Sequence, residues 1–351
     1  MLIRKWIYAA MLIAGFAAFM PGFLRSQQGG APGAETAAVP GEDAVPFDEE
    51  ELPAFKIGVE VSMVSVPVTI RGTDGSFYKG LTQKSFRIRE DGKDQEIVFF
   101  AEEGLPTHIA MVLDISGSVR PEWGTIKYAT RRFLENLRPD DNFSLTTFNT
   151  EIRMLMDWGK KTDNVDAKLT SVYCKDNTKL WDAIHTVSTE AFKGIEGKKA
   201  MIIMTDGMDN QSYYTYAEAV RAAVENQIAV YIVSKTEALR QYYEYMVPQG
   251  AGTYAQWELF LMQRALAQAE LVLRRLAYDT GGRVMQPNSF GQLDNIYADV
   301  YDELRNQYTL GYISTNTAKD GSYREIDVRV YSRDAPNVKI TARPGYYAPR
   351  N

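Results

Sequence analysis

The sequence predicts an α/β fold: a doubly wound, mostly parallel sheet flanked by helices, carrying a β-rich accessory domain formed by the segments on either side. Two observations predict it. Between about residues 105 and 308, continuous apolar runs (HIAMVLDI, KKAMIIMTDG, IAVYIVS) alternate with stretches of helical spacing. Runs apolar on both faces suit parallel strands covered by helices on both sides. In the flanks, at 56–104 and 309–351, apolar and polar residues alternate with a period of two, as in half-buried antiparallel strands.

The chain opens on Arg4 and Lys5 followed by an apolar run from Trp6 to Leu24. A positive start ahead of an apolar core is the layout of a secretory signal, here residues 1–26. The run is also nearly long enough to span a bilayer, so an uncleaved anchor in the inner membrane is the alternative. Either way the remainder is expected outside the cytoplasm, in the periplasm or beyond. No Cys follows the run, which argues against a lipoprotein. Residues 27–55 hold seven acids and no Lys or Arg among Gly, Pro and Ala, and read as a disordered acidic linker. The net charge is −6 and no basic stripe stands out, so a nucleic-acid partner is excluded. Cys174 is the only cysteine, and His108 and His185 the only histidines. An intramolecular disulfide and a Cys/His metal site are therefore excluded.

In order along the chain, KIGVEVSM sets Ile57, Val59, Val61 and Met63 on one face, and VSVPVTI sets Val64, Val66, Val68 and Ile70 on one face. The phase slips by one residue between them, which predicts a bulge or strand break at Met63–Val64. Pro67 predicts an edge position. SFRIRED and QEIVFFAE flank DGKD as a hairpin. In the α/β stretch, Ile126, Ala129, Phe133 and Leu137 share a helix face, as do Ala219, Val220, Ala223 and Val224, and later Leu293, Ile296, Val300 and Leu304. NFSLTTFN and EIRMLMDW read as strands joined by a short turn, KLWDAIHTVSTEAF as a helix, and LVLRRLAYDTGG as a helix closed by Gly281. Residues 236–262 interrupt the alternation with Tyr242, Tyr243, Tyr245, Tyr254, Trp257 and Phe260. A binding lobe is one reading; an insertion packing its own aromatics is the favoured one. The tail returns to strands, with Ile326, Val328 and Val330 on one face, and is expected to pair with the first β segment.

The chemistry sits where strands end. HIAMVLDISGSV finishes a buried strand at Asp114-x-Ser116-x-Ser118, and in extended chain such alternate residues point one way. A helix cap needs one of these oxygens, not three. A second buried strand ends at Asp206 in MIIMTDGMDN, and Thr178 stands just before a helix in DNTKLWDAI. Ligands bind at the carboxyl ends of strands in open α/β sheets. Two carboxylates brought together there repel unless a cation lies between them. Carboxylate and hydroxyl oxygens suit Mg²⁺, with Mn²⁺ and Ca²⁺ as alternatives, and do not suit zinc.

In that order, Asp114-x-Ser116-x-Ser118, Thr178 and the strand-end TDG of Asp206 resemble the metal-ion-dependent adhesion site of von Willebrand factor A (VWFA) domains, over about residues 105–308. The resemblance implies a Rossmann-like doubly wound fold. It implies that Ser116, Ser118 and Thr178 hold the ion directly or nearly so, with Asp114 and Asp206 acting through water. The flanks, in GLTQKSFRIREDGKDQEI, LRRLAYDTGGRV and LRNQYTLGYISTN with GYYAP, resemble exported A-domain proteins common in acidobacteria. The expected function is binding or adhesion, in which a protein ligand supplies an exposed Asp or Glu carboxylate to the ion. Asp209 and Asn210 are candidates for the rim of the site or for a simple loop turn; His108 and His185 are expected to be packed or on the surface.

Rival readings are weaker. Asp114 after an apolar strand, with Asp206 and Asp209 on a later one, has the look of a haloacid-dehalogenase phosphatase, but that chemistry wants an acid where Ser116 stands. No G-x-G-x-x-G follows a strand and no G-x-S-x-G is present. An envelope scaffold with a structural or vestigial metal site is the non-catalytic alternative.

Overall fold

The computed structural model describes residues 63–102, 105–159, 164–174, 177–247, 251–331 and 337–350. The signal or anchor, the acidic linker and the strand expected before Met63 lie outside the described residues. Strand β1 (Met63–Arg71) runs unbroken from its first described residue and buries Val64, Val66, Val68 and Ile70, the face that the alternation marks. Strands β2 (Phe86–Glu90) and β3 (Lys93–Gln95) form the hairpin expected around DGKD, with Asp91 and Gly92 both left-handed at its tip. An Asp-Gly pair is suited to that turn because Gly takes positive φ freely and Asp tolerates it. The second arm does not continue as one strand. It breaks after Gln95, and β4 (Ile97–Ala101) joins a different sheet.

The α/β body follows in order: β5 (Thr107–Asp114), α1 (Trp123–Glu135), β6 (Asn142–Phe148), β7 (Ile152–Gly159), α2 (Val165–Thr170), α3 (Leu180–Thr186), β8 (Lys198–Thr205), α4 (Tyr216–Glu225), β9 (Ile228–Ser234), α5 (Thr236–Met246), α6 (Thr253–Thr280), β10 (Val284–Met285) and α7 (Leu293–Arg305). Its sheet has the order β10-β9-β8-β5-β6-β7, parallel throughout except for the antiparallel β6–β7 pair. Central β5 shows why its sequence is continuously apolar. Ile109, Met111 and Leu113 enter one core with α1 and α7, while Ala110 and Val112 enter the other. The predicted faces are buried: Ile126, Ala129 and Phe133 on α1, and Ala219, Val220, Ala223 and Val224 on α4. Helix α4 starts at a capping box between Thr215 and Glu218. Helix α6 ends at Gly281 in the left-handed conformation. The helix expected over KLWDAIHTVSTEAF leaves α geometry after Thr186 and finishes as a π turn over Val187–Ala191.

The tail forms β11 (Tyr308–Ile313), β12 (Tyr323–Val330), β13 (Lys339–Ala342) and β14 (Gly345–Tyr347). These strands pair with those of the first segment in two four-stranded sheets, ordered β13-β1-β11-β4 and β14-β12-β2-β3. The sheets pack through Phe86, Phe100 and Tyr308, whose ring centroids lie 5.2–5.9 Å apart. The expectation that Pro67 marks an edge strand is corrected, since β1 is internal. The proline is tolerated because β13 pairs only with Val68–Arg71, leaving no strand on that side at Pro67. A buried ion network ties this β part to the body. Glu303 on α7 meets Arg71 of β1 at 2.9 Å and Arg283 before β10 at 2.9 Å.

The aromatic segment is also corrected. It forms α5 and the start of α6, an antiparallel hairpin whose small core is Leu239, Met262 and Leu266 with Met208 and Tyr243 packed against it. The remaining rings face outward: Tyr245 is 85 % exposed and Trp257 55 % exposed, and Tyr242, Tyr254 and Phe260 are exposed as well. The hairpin is too thin to enclose so many rings between two helices.

Candidate functional site

The parallel register of β5 and β8 brings their carboxyl ends side by side, Leu113 opposite Met204. Asp114 and Asp206 therefore leave the sheet next to each other. Asp114 is fully buried and held through both oxygens. Its Oδ1 accepts from the Ser116 amide at 2.9 Å, and its Oδ2 accepts from the Thr205 hydroxyl at 2.9 Å. Beyond Asp114 the chain turns into a short 3₁₀ segment, Gly117–Glu122, which brings the Ser116 and Ser118 hydroxyls to 3.0 Å from each other. The Ser118 hydroxyl donates to Asp206 Oδ2 at 3.4 Å, and the Met208 amide donates to Asp206 Oδ1 at 3.0 Å. Four of the five expected oxygen side chains thus form one hydrogen-bonded cluster. Thr178, also buried, is tied only to the loop that leaves Asp206, where its carbonyl accepts from the Asn210 and Gln211 amides at 3.1 and 3.2 Å; its hydroxyl is not among the cluster's hydrogen bonds.

The residue that sequence reasoning missed is Lys235. It follows β9 directly, and its amide donates to the Thr205 carbonyl at 2.9 Å, which sets it beside the end of β8. Its side chain turns inward. Nζ lies 3.0 Å from Asp114 Oδ2, 3.4 Å from Ser118 Oγ and 3.7 Å from Asp206 Oδ2, and the side chain is 1 % exposed. Burial works to depress the ammonium, but the two carboxylates and their hydrogen bonds outweigh it and hold Lys235 above the ordinary lysine value. Burial pushes Asp206 up, against the pull of Lys235, and the Asp114 charge adds to the rise. Two carboxylates facing one ammonium leave an excess of acid, which accords with that direction. A signal was available: a lysine immediately after an apolar strand, IAVYIVSK, at the same end of the sheet as both aspartates.

The other candidates have structural tasks. Asp209 accepts from the Leu180 amide at 2.8 Å and so caps α3, while Asn210 Oδ1 accepts from the Thr178 amide at 3.0 Å. These bonds brace the loop rather than line a rim. Burial raises the Asp209 carboxyl, and hydrogen bonds from Ser212 and the α3 start work against it. His108 packs edge-on against Trp158, its ring centroid 5.6 Å away, and His185 stacks on Tyr214 at 3.6 Å. Neither reaches the cluster.

Among the described residues, no group of three or more His, Cys, Asp or Glu could hold a metal ion, so a metal reading rests on the hydroxyls as much as on the acids. The donor chemistry of Asp114, Ser116, Ser118, Thr178 and Asp206 fits a hard divalent cation: every donor is oxygen, two are carboxylates, and the two serine hydroxyls are within a hydrogen bond of each other. Lys235 is the one group among them that a metal ion would not tolerate as a neighbour.

A model of the von Willebrand factor type A domain matches residues 108–299, more than half of the chain. The chain belongs to this family. Solved structures similar to this A-domain protein include proximal thread matrix protein 1 from the mussel byssus, at 18 % identity over 57 % of this chain and 49 % of that one, with a TM-score of 0.41. The chain therefore spans about half the length of the mussel protein. That protein has also been solved with a zinc-occupied MIDAS motif, at a TM-score of 0.37. A von Willebrand factor type A protein from Catenulispora acidiphila is similar at 10 % identity over 76 % of this chain and 74 % of that one, with a TM-score of 0.44. An aerotolerance-related membrane protein from Bacteroides fragilis is similar at 16 % identity over 56 % and 98 %, with a TM-score of 0.40. At such scores these likenesses carry no functional argument. A comparison with curated proteins finds no match.

Proposed function

We propose that this is an exported, non-enzymatic binding protein whose A domain recognises a protein partner at the carboxyl end of its central sheet. Ser116, Ser118 and Thr178, with Asp114 and Asp206 behind them, would hold a divalent cation, Mg²⁺ by preference. Bound there, the ion supplies a positive centre that neutral hydroxyls leave largely unquenched, able to accept an Asp or Glu carboxylate from the partner. The observation that carries this reading is the convergence of Asp114, Ser116, Ser118 and Asp206 in one cluster at the ends of β5 and β8.

The chain's own groups do the positioning. The Thr205 hydroxyl and the Ser116 amide fix Asp114, the Met208 amide fixes Asp206, and the Asn210 loop fixes Thr178. The exposed Tyr245, Tyr254, Trp257 and Phe260 lie on the hairpin that starts right after Lys235. Aromatic side chains suit an apolar contact surrounding an ionic anchor. A phosphatase reading gains no support, because both Asp114 oxygens are engaged and the side chain is inaccessible to a substrate.

The test is retention of an envelope partner on the immobilised protein in Mg²⁺ and in EDTA, beside Ser116→Ala. The expected result is retention that EDTA and the substitution both abolish. Retention indifferent to both, or none at all, would replace this reading with the scaffold one. Turnover of p-nitrophenyl phosphate in Mg²⁺ would overturn the non-enzymatic part.

A further inference from the structure

The ammonium of Lys235 stands where a cation between Asp114 and Asp206 is wanted. It touches Asp114 Oδ2 at 3.0 Å and Ser118 Oγ at 3.4 Å, and lies 3.7 Å from Asp206 Oδ2. These oxygens belong to three of the five side chains that would surround a divalent ion. We propose that Lys235 is a resident counter-cation of this site, and that a metal ion enters only by displacing it. The proposal rests on the metal-binding reading above for the identity of the competitor and adds how the site is regulated.

Three physical points carry it. First, the pair is built rather than incidental: Lys235 is 1 % exposed and Asp114 0 %, and burial of a lysine is rare unless it is paired. Second, ammonium and metal cannot share the site. Both would draw on Ser118, the metal directly and the ammonium at 3.4 Å, so the two would stand only a few ångströms apart, where like charges repel strongly even at an effective dielectric near 20. Third, the backbone of Lys235 is anchored independently of the contacts its side chain makes. The amide is held by the Thr205 carbonyl and the carbonyl accepts from the Leu239 amide in the first turn of α5, but a four-carbon stem can withdraw without either bond breaking. The metal-free protein then needs no ion to keep two buried carboxylates together, and its folding is independent of divalent metal.

The experiment is calorimetric titration of Mg²⁺ and Mn²⁺ into the full chain, as wild type, Lys235→Met and Lys235→Gln. In parallel, the ¹H–¹⁵N signal of the buried Lys235 ammonium is followed in the wild type, which needs no variant to fold. Removing the charge should tighten ion binding by on the order of a hundredfold or more. The protected ammonium signal should be present without metal and lost as the ion saturates the wild type. Equal affinity in wild type and variants, or an ammonium signal unchanged at saturating Mg²⁺, overturns displacement and leaves the metal reading standing. Absence of binding in all three proteins overturns displacement and the metal reading together.

Discussion

If Lys235 neutralises the cluster, then Lys235→Met in the presence of EDTA must be costly. Met has nearly the same length and keeps the apolar stem, so the change isolates the charge. It leaves Asp114 and Asp206 facing each other, both buried, with hydrogen bonds from Thr205, Ser116, Ser118 and Met208 but no counter-charge. Breaking a buried pair by removing one partner costs about 3–5 kcal/mol, several times the worth of an exposed pair. In a chain of this size that lowers the thermal midpoint by about 5–15 °C. Urea unfolding with an unchanged slope would report the same loss as a lower midpoint concentration. The specific check is a double-mutant cycle with Asp114→Asn, which keeps an acceptor for the Ser116 amide and removes the charge. The double variant should recover a large part of the single losses, with a coupling on the order of 2 kcal/mol. Additivity within about 0.5 kcal/mol would mean that the two charges do not depend on each other, and the reasoning would fail.

Other expectations follow from the same structure. Burial pulls the Lys198 ammonium down to about 7, against Asp141 and Glu303, so the folded state binds fewer protons than the unfolded one between that value and about 10.4. Stability therefore rises with pH across that window, and Lys198→Met should lose about 4 kcal/mol of that rise in urea unfolding at pH 7 and pH 10. Gly282→Ala places a Cβ 2.0 Å from the Val230 carbonyl oxygen, so it should lower stability by about 3 kcal/mol or more, read as a fall in thermal midpoint. Glu303→Gln removes the buried carboxylate that Arg71 and Arg283 share but leaves both paired with Asp299, so it should cost about 1–3 kcal/mol, measured by the same unfolding. If the proposed binding face includes the hairpin, Tyr245→Ser with Trp257→Ser weakens retention of the proposed partner while moving the thermal midpoint by less than a few degrees, since both rings are exposed.

Most of the body was legible because periodicity and burial are the same fact seen twice. Val64, Val66, Val68 and Ile70 alternate in sequence and are all buried on β1, and the α1 and α4 faces read at helical spacing are the faces that pack. Asp91–Gly92 was legible as a turn because few sequences tolerate two left-handed residues in a row. What was not legible depends on partners far along the chain. Pro67 looks like an edge residue locally, and only the length of β13, about 270 residues later, shows that an internal strand can hold it. The break after Gln95 lies inside a stretch, QEIVFFAE, that reads locally as one strand, and only the pairing of β4 with β11 of the tail separates it. The aromatic segment was misjudged for a related reason: ring content signals a core only when there is a second layer to receive the rings, and the α5–α6 hairpin has none on its outer side.

The site divides along the same line. Asp114, Ser116 and Ser118 are neighbours in sequence, so their convergence follows from backbone geometry, and Asp206 joins them because parallel strands end together. Two such carboxylates side by side call for positive charge, and Lys235 stands beside both of them. The identity of that cation was not legible from spacing, since a divalent ion and a lysine ammonium satisfy the same electrostatic demand. They differ in where the charge comes from. A metal adds two charges from solution and leaves coordination positions for a partner, whereas Lys235 adds one charge from the residue just after β9 and presents nothing outward, being 1 % exposed. A site filled by its own lysine is thus stable and silent, and one that exchanges the lysine for a metal gains both a second charge and a place for an incoming carboxylate. The energy separating the two is the difference between a pair already formed at 3.0 Å and an ion that must first be stripped of water. Under the proposed exchange, the concentration of the ion sets which form the domain presents.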